Sequence, residues 1–430
     1  MKVHLAWFGP NSPNNWNRPS GSIYDWRKPD LYLDVARMCE RAKFDMILFA
    51  DSVAVPTTYG NSTDWYVKNG FMISHDPVPT MAMMAAVTSK IGLAATLSTT
   101  FYPPYLLARL MGTLDHLSGG RIGWNVVTGA SDDAARNFGE DKLIEHDRRY
   151  DMADEYMDLV RKLWNSWQPD AIMENRRDGI FADPAKVRPV DHIGEFYKCR
   201  GPLNVVSSPQ REPLIIVAGT SPRGRRFAVE HGDVVIAHKN TIADMRKYVT
   251  EIREQLVSIG RDPKSMKIFF AIKPIIGETE GIAREKRRLH HERADLERGL
   301  AYVSLTLGHD MSHFDLDEPI PADLPVQAII GKLQQMKGMG DAVTLRQFAL
   351  HEALQETHEI CGSYEQVADM IGHIADETGA DGFHFRGMLQ DYDYLTEVAT
   401  RLVPILQDKG ITRRDYAGAT LKENLFQSHA

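Results

Sequence analysis

A chain of 430 residues, 43% hydrophobic and 25% charged, carries enough apolar side chain for a buried core in one large domain or two ordinary ones. Its formal net charge of −8 argues against a nucleic-acid partner, because nucleic-acid modules concentrate Lys and Arg on one face. Three widely spaced cysteines, Cys39, Cys199 and Cys361, read as free thiols of a reducing compartment. With no apolar run near the ~18 residues of a membrane span and no signal-peptide core, a cytoplasmic protein is expected.

Eight short apolar runs bounded by turn residues follow one another. "VHLAWF" (3–8) and "DMILFA" (45–50) bracket a helical stripe of Leu31, Val35, Met38 and Ala42. "IGLAATLS" (91–98) and "IGWNVV" (122–127) come next, then a second stripe of Met152, Tyr156, Leu159 and Leu163. "PLIIVA" (213–218), "DVVIA" (233–237), "KIFFAIKPII" (267–276) and "DGFHF" (381–385) complete the set. Near-continuous apolar strands alternating with amphipathic helices predict a parallel sheet, and eight such units predict a closed α/β (β/α)8 TIM barrel. Two spacings are long: about 169–212 after the fourth strand and its helix, and about 277–380 between the seventh and eighth strands. They are expected as insertions in a single domain spanning 1–430. The second includes one charged helix, "GIAREKRRLHHERADLERGLAYVSLTLG". Loops of this length are usually lids or binding loops.

A barrel builds its active site from the loops that leave the C-terminal ends of its strands. In "IIVAGTSPRGRRFA" (215–228) a strand ends in Gly219, Thr220 and Ser221, and Pro222 opens a helix. Such an N-terminus attracts phosphate, and Arg223 or Arg225 would add donors; an ordinary Ser N-cap is the alternative. His146 and Tyr150, four residues apart, share a helix face and could reach one ligand, or could cap and pack. Asn125, in mid-strand, needs a hydrogen-bonding neighbour if buried. Asp51 is the acid at its strand end, catalytic-site or salt-bridged. "GHDMSHFDLDE" (308–318) pairs His309 with His313, but no second ligand segment accompanies it and no metal is expected. The chain lacks G-x-S-x-G, G-x-G-x-x-G and G-K-[ST], which removes the hydrolase, dinucleotide and P-loop readings.

The stretches "KFDMILFAD", "ATLSTTFYPPYLLARLMGTLDHLSGGRIGWNVVTG", "NFGEDKLIEHDRRYDMADEYMDLVRKLWNSW", "HIGEFYKCRGPLNV" and "AGTSPRGRRFA" resemble the nitrilotriacetate monooxygenase family. This is the branch of bacterial-luciferase-like flavin monooxygenases that includes dibenzothiophene-sulfone, EDTA and long-chain-alkane monooxygenases. The resemblance implies a two-component monooxygenase that uses FMN as FMNH2, together with O2, through a flavin C4a-(hydro)peroxide. A separate NAD(P)H:flavin reductase would feed it, its substrate would be a small organic molecule, and it would assemble as a homodimer or homotetramer. Carried onto this sequence, Asp51, Thr96, His146, Tyr150 and Ser221 would contact FMN. Gly129, Ala130 and Thr220 would line the same place, and Asn125 would support it. Trp7, Phe8, Phe49, Phe101 and Tyr102 would wall a dry pocket, and His309 would be an acid/base or peroxide partner. The sequence departs from the family at strand eight, "DGFHFRGMLQDYDYL", where Arg386, with Phe8, would face a partly polar or anionic substrate; Arg386 could equally be a surface or salt-bridged residue. The competing readings are a deazaflavin-dependent hydride-transfer oxidoreductase of the same superfamily, a non-catalytic flavin-binding protein and a non-redox barrel enzyme with a phosphorylated substrate.

Overall fold

The eight apolar runs form the eight strands of one closed parallel barrel, as expected: β1 (His4–Phe8), β2 (Met46–Phe49), β3 (Gly92–Ser98), β4 (Ile122–Val127), β5 (Leu214–Val217), β6 (Val234–Ala237), β7 (Lys267–Ile272) and β8 (Gly382–Phe385). The computed structural model describes residues 3–13, 16, 24–219, 221–321, 324, 339–340, 342–354, 359–386 and 392–427. Successive strands neighbour one another in chain order, and β8 closes on β1 with His4 opposite Gly382 and Trp7 opposite Phe385. Among the described residues no helix is long and apolar enough to cross a membrane.

Side chains on a strand alternate between its two faces. One apolar cluster, Ala6, Met46, Leu48, Ala94, Leu214, Ile216, Val234, Ile236 and Phe269, fills the barrel lumen. The intervening residues, among them Trp7, Ile47, Phe49, Trp124, Val217, Phe270 and Phe385, belong to the larger cluster between barrel and helices. Burial on both faces is why each run reads as apolar without a break.

Helices begin where the sequence supplies a start signal. Proline opens α1 (Pro29–Arg41), α2 (Pro104–Ser118) and α4 (Pro222–His231), where its missing N–H costs nothing. In α3 (His146–Trp164) the Glu145 carboxylate accepts from the Arg148 amide at 2.9 Å, so Glu145 caps the helix and His146 is its first residue. Between α3 and β5 the chain makes two antiparallel ribbons, Ile172–Asn175 with Ile180–Ala182 and His192–Ile193 with Lys198–Cys199.

Beyond β7, Pro274 ends the barrel strand, and Ile275–Gly277 pairs instead with Cys361–Ser363 outside the barrel. The single charged helix expected here is two. Glu280–Glu292 stops, and Asp295 caps a separate apolar helix, α5 (Leu296–Leu307), by accepting from the Arg298 amide at 3.2 Å. Helix α5 packs on α6 (Leu345–Leu354) through Leu300, Val303, Leu307, Leu345 and Phe348. It also docks onto the loop after β2, where the Tyr66 hydroxyl donates to the Ala301 carbonyl at 3.2 Å and the Asp310 carboxylate accepts from the Gly60 amide at 3.0 Å. Part of the long second connection is thereby held over the C-terminal end of the barrel.

The opposite end is closed by α7 (Leu421–Phe426), whose Leu421 and Leu425 complete the lumen cluster. There Asp45, at the start of β2, accepts from His4 Nδ1 at 2.9 Å, from the Leu5 amide at 2.8 Å and from Arg413 Nη2 at 2.7 Å. Arg413 in turn donates to the Asn424 carbonyl at 2.5 Å. These groups are almost entirely buried. His4 and Arg413 hold the Asp45 carboxyl below its ordinary value in spite of burial, which pushes the other way. Removing one partner from a buried charge cluster strands the others. Asp45→Asn should therefore destabilise the fold by about 3–5 kcal/mol in urea unfolding, whereas Arg226→Ala, which deletes the surface pair of Arg226 with Glu230, should leave the midpoint unchanged.

Candidate functional site

A cavity of about 390 Å3 lies at the C-terminal end of β2 to β5. Its wall is made by Asp51, Ser52 and Val53 after β2, Thr96 and Ser98 of β3, Phe101, and the run from Val126 to Ser131 at the end of β4. His146, Arg149 and Tyr150 from the first turns of α3 continue it, followed by Val217 to Gly219 and Ser221 from the turn after β5. Tyr302, Leu305 and Thr306 of α5 cover it. Of the residues singled out in the sequence, Asp51, Thr96, Gly129, Ala130, His146, Tyr150 and Ser221 meet here.

One end of the cavity is built to take negative charge. Ser221 caps α4, its hydroxyl accepting from the Gly224 amide at 3.0 Å, and the His146 Nε2 stands 3.5 Å from the same oxygen. His146 Nδ1 stands 2.6 Å from the Asp147 carboxylate. The turn and the helix touch backbone to backbone. A Cβ on Gly219 would sit 2.6 Å from the Gly224 carbonyl oxygen, and one on Gly224 would sit 2.7 Å from the Tyr150 hydroxyl. Two glycines are needed for this close approach. Tyr150 is raised above its ordinary pKa by burial, against which the Arg149 charge and hydrogen bonding with Thr128 and Ser221 act.

Arg149 was missed by sequence reasoning. It is only 1% exposed, lines the cavity and donates through Nη1 to the Ile144 carbonyl at 2.5 Å, while its Nε has no hydrogen-bond partner among the described residues. Among the described residues no carboxylate lies within ion-pair distance of it. Burial lowers its pKa, yet a guanidinium stays charged at neutral pH. The signal available in the sequence was its place three residues after His146 in "EHDRRY", on the same side of the helix.

Another part of the wall presents a hydroxyl and an acid. The Thr96 hydroxyl donates to the Phe49 carbonyl at 2.7 Å and accepts from Asn125 Nδ2 at 2.8 Å. Asn125 does not line the cavity but fixes the hydroxyl that does, and its own Oδ1 is buried with no partner. The Thr96 proton being committed, its remaining capacity is that of an acceptor. Burial raises the Asp51 carboxyl to about 6, and the charge of Asp76 adds to the shift.

Several expected residues lie elsewhere. Arg223 pairs with Asp151 at 3.0 Å and Asp154 at 2.5 Å, and Arg225 pairs with Glu251 at 3.0 Å. Both turn sideways to neighbouring helices rather than toward the cavity, and the charge there comes from Arg149. Trp7 and Phe49 do not wall the cavity, since strand alternation points them at the helices, where Trp7 packs edge-on against Phe44. Tyr102 also packs in that outer layer, so of the five aromatics only Phe101 faces the cavity. Phe8 and Arg386 stand across the lumen, the guanidinium carbon 4.8 Å from the centre of the Phe8 ring. His309 follows the Gly308 cap of α5, its amide on the Ser304 carbonyl at 3.1 Å, and is not part of the cavity wall. Thr220 lies outside the described residues.

The luciferase-like monooxygenase family model matches residues 4–382. The dibenzothiophene-sulfone monooxygenase of Rhodococcus erythropolis (strain XP) is 38% identical, the alignment covering 99% of this chain and 96% of that protein. The crystal structure of a riboflavin lyase, solved with a modified FMN and its substrate riboflavin, superposes with a TM-score of 0.93 at 31% identity, over all of this chain and 96% of the other. That of a long-chain alkane monooxygenase gives 0.89 at 32% identity, over 99% and 96%.

Asp51 allows a check that needs no ligand. A carboxyl whose folded pKa is raised to about 6 destabilises the fold only where it must ionise, so the cost is absent below the unfolded value of about 4 and grows as pH rises through 6. Asp51→Asn should then stabilise the protein by about 1–2 kcal/mol at pH 8, a figure reduced for partial solvent screening, and by nothing measurable at pH 4. Urea unfolding at the two pH values reads the difference, and an equal effect at both would show that Asp51 is not perturbed in this way.

Proposed function

We propose that this chain, which belongs to the luciferase-like monooxygenase family and is a flavin-dependent monooxygenase, is the oxygenating component of a two-component system. It takes FMNH2 from a separate NAD(P)H:flavin reductase and transfers one atom of O2 to a small organic substrate. The observation that carries this reading is a cavity lined both by the buried guanidinium of Arg149, which has no carboxylate within ion-pair distance among the described residues, and by Ser221, whose hydroxyl caps the N-terminus of α4.

The donor set fits FMN. Arg149, Ser221, His146 and Tyr150 would hold its phosphate, where the helix N-terminus and a buried cation act together. Gly129 and Ala130 leave room beside Phe101, a Cβ on Gly129 reaching that ring at 3.2 Å. Thr96, backed by Asn125, and Asp51 would face the ring system. Because the Thr96 hydroxyl can only accept, it suits an N–H of the reduced ring. Bound reduced flavin supplies the electrons with which O2 is activated. The work left to the protein is to bind, orient and exclude water, for which Val126, Val217, Phe101 and Leu305 give apolar wall and α5 gives cover.

The phosphate assignment is tested by titrating wild type and Arg149→Met with FMNH2 and with reduced riboflavin under nitrogen. The variant should lose about 10–100-fold in affinity for FMNH2, the value of a charge-assisted hydrogen bond, and nothing for reduced riboflavin. Equal losses for both would move the phosphate away from Arg149.

The reaction is tested by coupling the protein to a flavin reductase under 18O2 with a panel of sulfones, thioethers, alkanes and amino-carboxylates. One labelled atom should appear in a product by mass spectrometry. Flavin binding with oxygen uptake that never labels a product would favour a flavin-binding protein without oxygenase activity, and product formation without oxygen would favour hydride transfer.

A further inference from the structure

We propose that the lumen side of β6 to β8 is a subsite for the anionic group of a small organic acid, a carboxylate or sulfonate, with Arg386 as its donor. This names the class of substrate and rests on the monooxygenase reading above.

The placement follows from strand alternation. His384 faces the lumen beside Phe8, their ring centroids 5.6 Å apart, and Arg386, two residues on, faces the same way. Its backbone amide still donates to the Ile272 carbonyl at 2.9 Å, so the strand register holds one residue past β8. The guanidinium lies over the Phe8 ring, and its Nη1 stands 3.5 Å from His238 Nε2 at the end of β6. Lys273 occupies the corresponding place after β7 and donates through Nζ to the Leu354 carbonyl at 3.0 Å. Arg386 and His238 thus meet in one sector of the lumen, and Lys273 follows the strand between theirs.

Elsewhere Arg413 has Asp45, Arg253 has Asp381 and Arg223 has Asp154 as carboxylate partners, and buried Arg121 is answered by the carbonyls of Ala85, Thr88, Ile91 and Ser118. Arg386 has no carboxylate within ion-pair distance among the described residues. Burial lowers the Arg386 pKa, opposed by Tyr302 and by Glu352, which is buried on α6. Tyr302 also lines the flavin cavity, so the two sites adjoin. One inward step below, His384 is 3% exposed and its Nε2 has no hydrogen-bond partner among the described residues. Burial, with the neighbouring charge of Arg386, pulls it down to about 3, so it waits as a neutral polar group. A guanidinium is planar, and its fork meets a carboxylate or sulfonate with two parallel hydrogen bonds. An apolar substrate would leave both Arg386 and His384 desolvated without compensation.

Calorimetric titration with benzenesulfonate and its neutral isostere methyl phenyl sulfone tests this on the full chain. Wild type should prefer the anion by about tenfold or more. Arg386→Ala should abolish the preference, Arg386→Lys should restore part of it, and both should keep wild-type affinity for FMNH2. No preference in wild type, a preference that survives in Arg386→Ala, or a parallel loss of FMNH2 binding in the variants would each overturn the proposal. Should wild type fail to bind FMNH2 while the Arg386-dependent preference remains, the flavin reading falls and the anion subsite stands.

Discussion

The two-residue alternation of side chains along a strand governs this molecule from one end to the other. In a closed barrel of parallel strands it sorts every strand residue into lumen or outer layer, with no intermediate choice. On the lumen side it yields three levels. The lowest is the ionic cluster of His4 and Asp45 with Arg413, sealed by α7. The middle is a plug of aliphatic side chains closed by Phe269, whose ring stacks on His4 at 6.1 Å. The highest carries Phe8, Thr96, Asn125, His384 and Arg386, all lumen-facing and all beyond the plug. Because the register is held by ladders on both sides of each strand, a slip of one residue would put Trp7 and Trp124 into the lumen and Asn125 into the apolar outer layer. The cost of stranding that amide alone is comparable to a sizeable share of a domain's net stability.

This sorting also decides how much could be read without coordinates. The eight strands were plain because burial on both faces leaves nothing but apolar residues, and the turn after β5 was plain because Gly, Ser and Pro each have a local reason to be there. His146 and Tyr150 were likewise found from helical spacing alone. Which face a given aromatic occupies depends instead on the phase of the strand, and "AWF" does not carry that phase; hence Trp7 was placed in the pocket with Phe8 when the two point in opposite directions. Charged residues were harder still. Arg149, Arg223 and Arg225 look alike in sequence, and only packing shows that two of them answer carboxylates on neighbouring helices while one is buried without such a partner. The break between Glu292 and Leu296 was masked by uniformly helix-favouring composition, and only the side chain of Asp295, turned back on the Arg298 amide, marks it.

The cavity is polar in a directional sense, and the barrel order makes it so. Asp51 follows β2, Thr96 lies near the end of β3, the Thr128 to Ala130 turn follows β4 and Ser221 follows β5, so the wall passes from an acid through neutral hydroxyls and peptide groups to a helix N-terminus, and Arg149 lines the same cavity. A ligand with one anionic end is attracted at the Ser221 end by fixed dipoles and a buried cation, and is repelled at the Asp51 end by a carboxyl that ionises as pH rises through about 6. Both effects favour the same orientation, and neither requires the wall to move. The strands left over, β6 to β8, are followed on the lumen side by His238, Lys273 and Arg386. An anionic substrate and an anionic cofactor would compete if their charge sites coincided. On the reading proposed here, setting them at the ends of different strands would let each be held without opposing the other, with Tyr302 of α5 lining the one site and acting on Arg386 of the other.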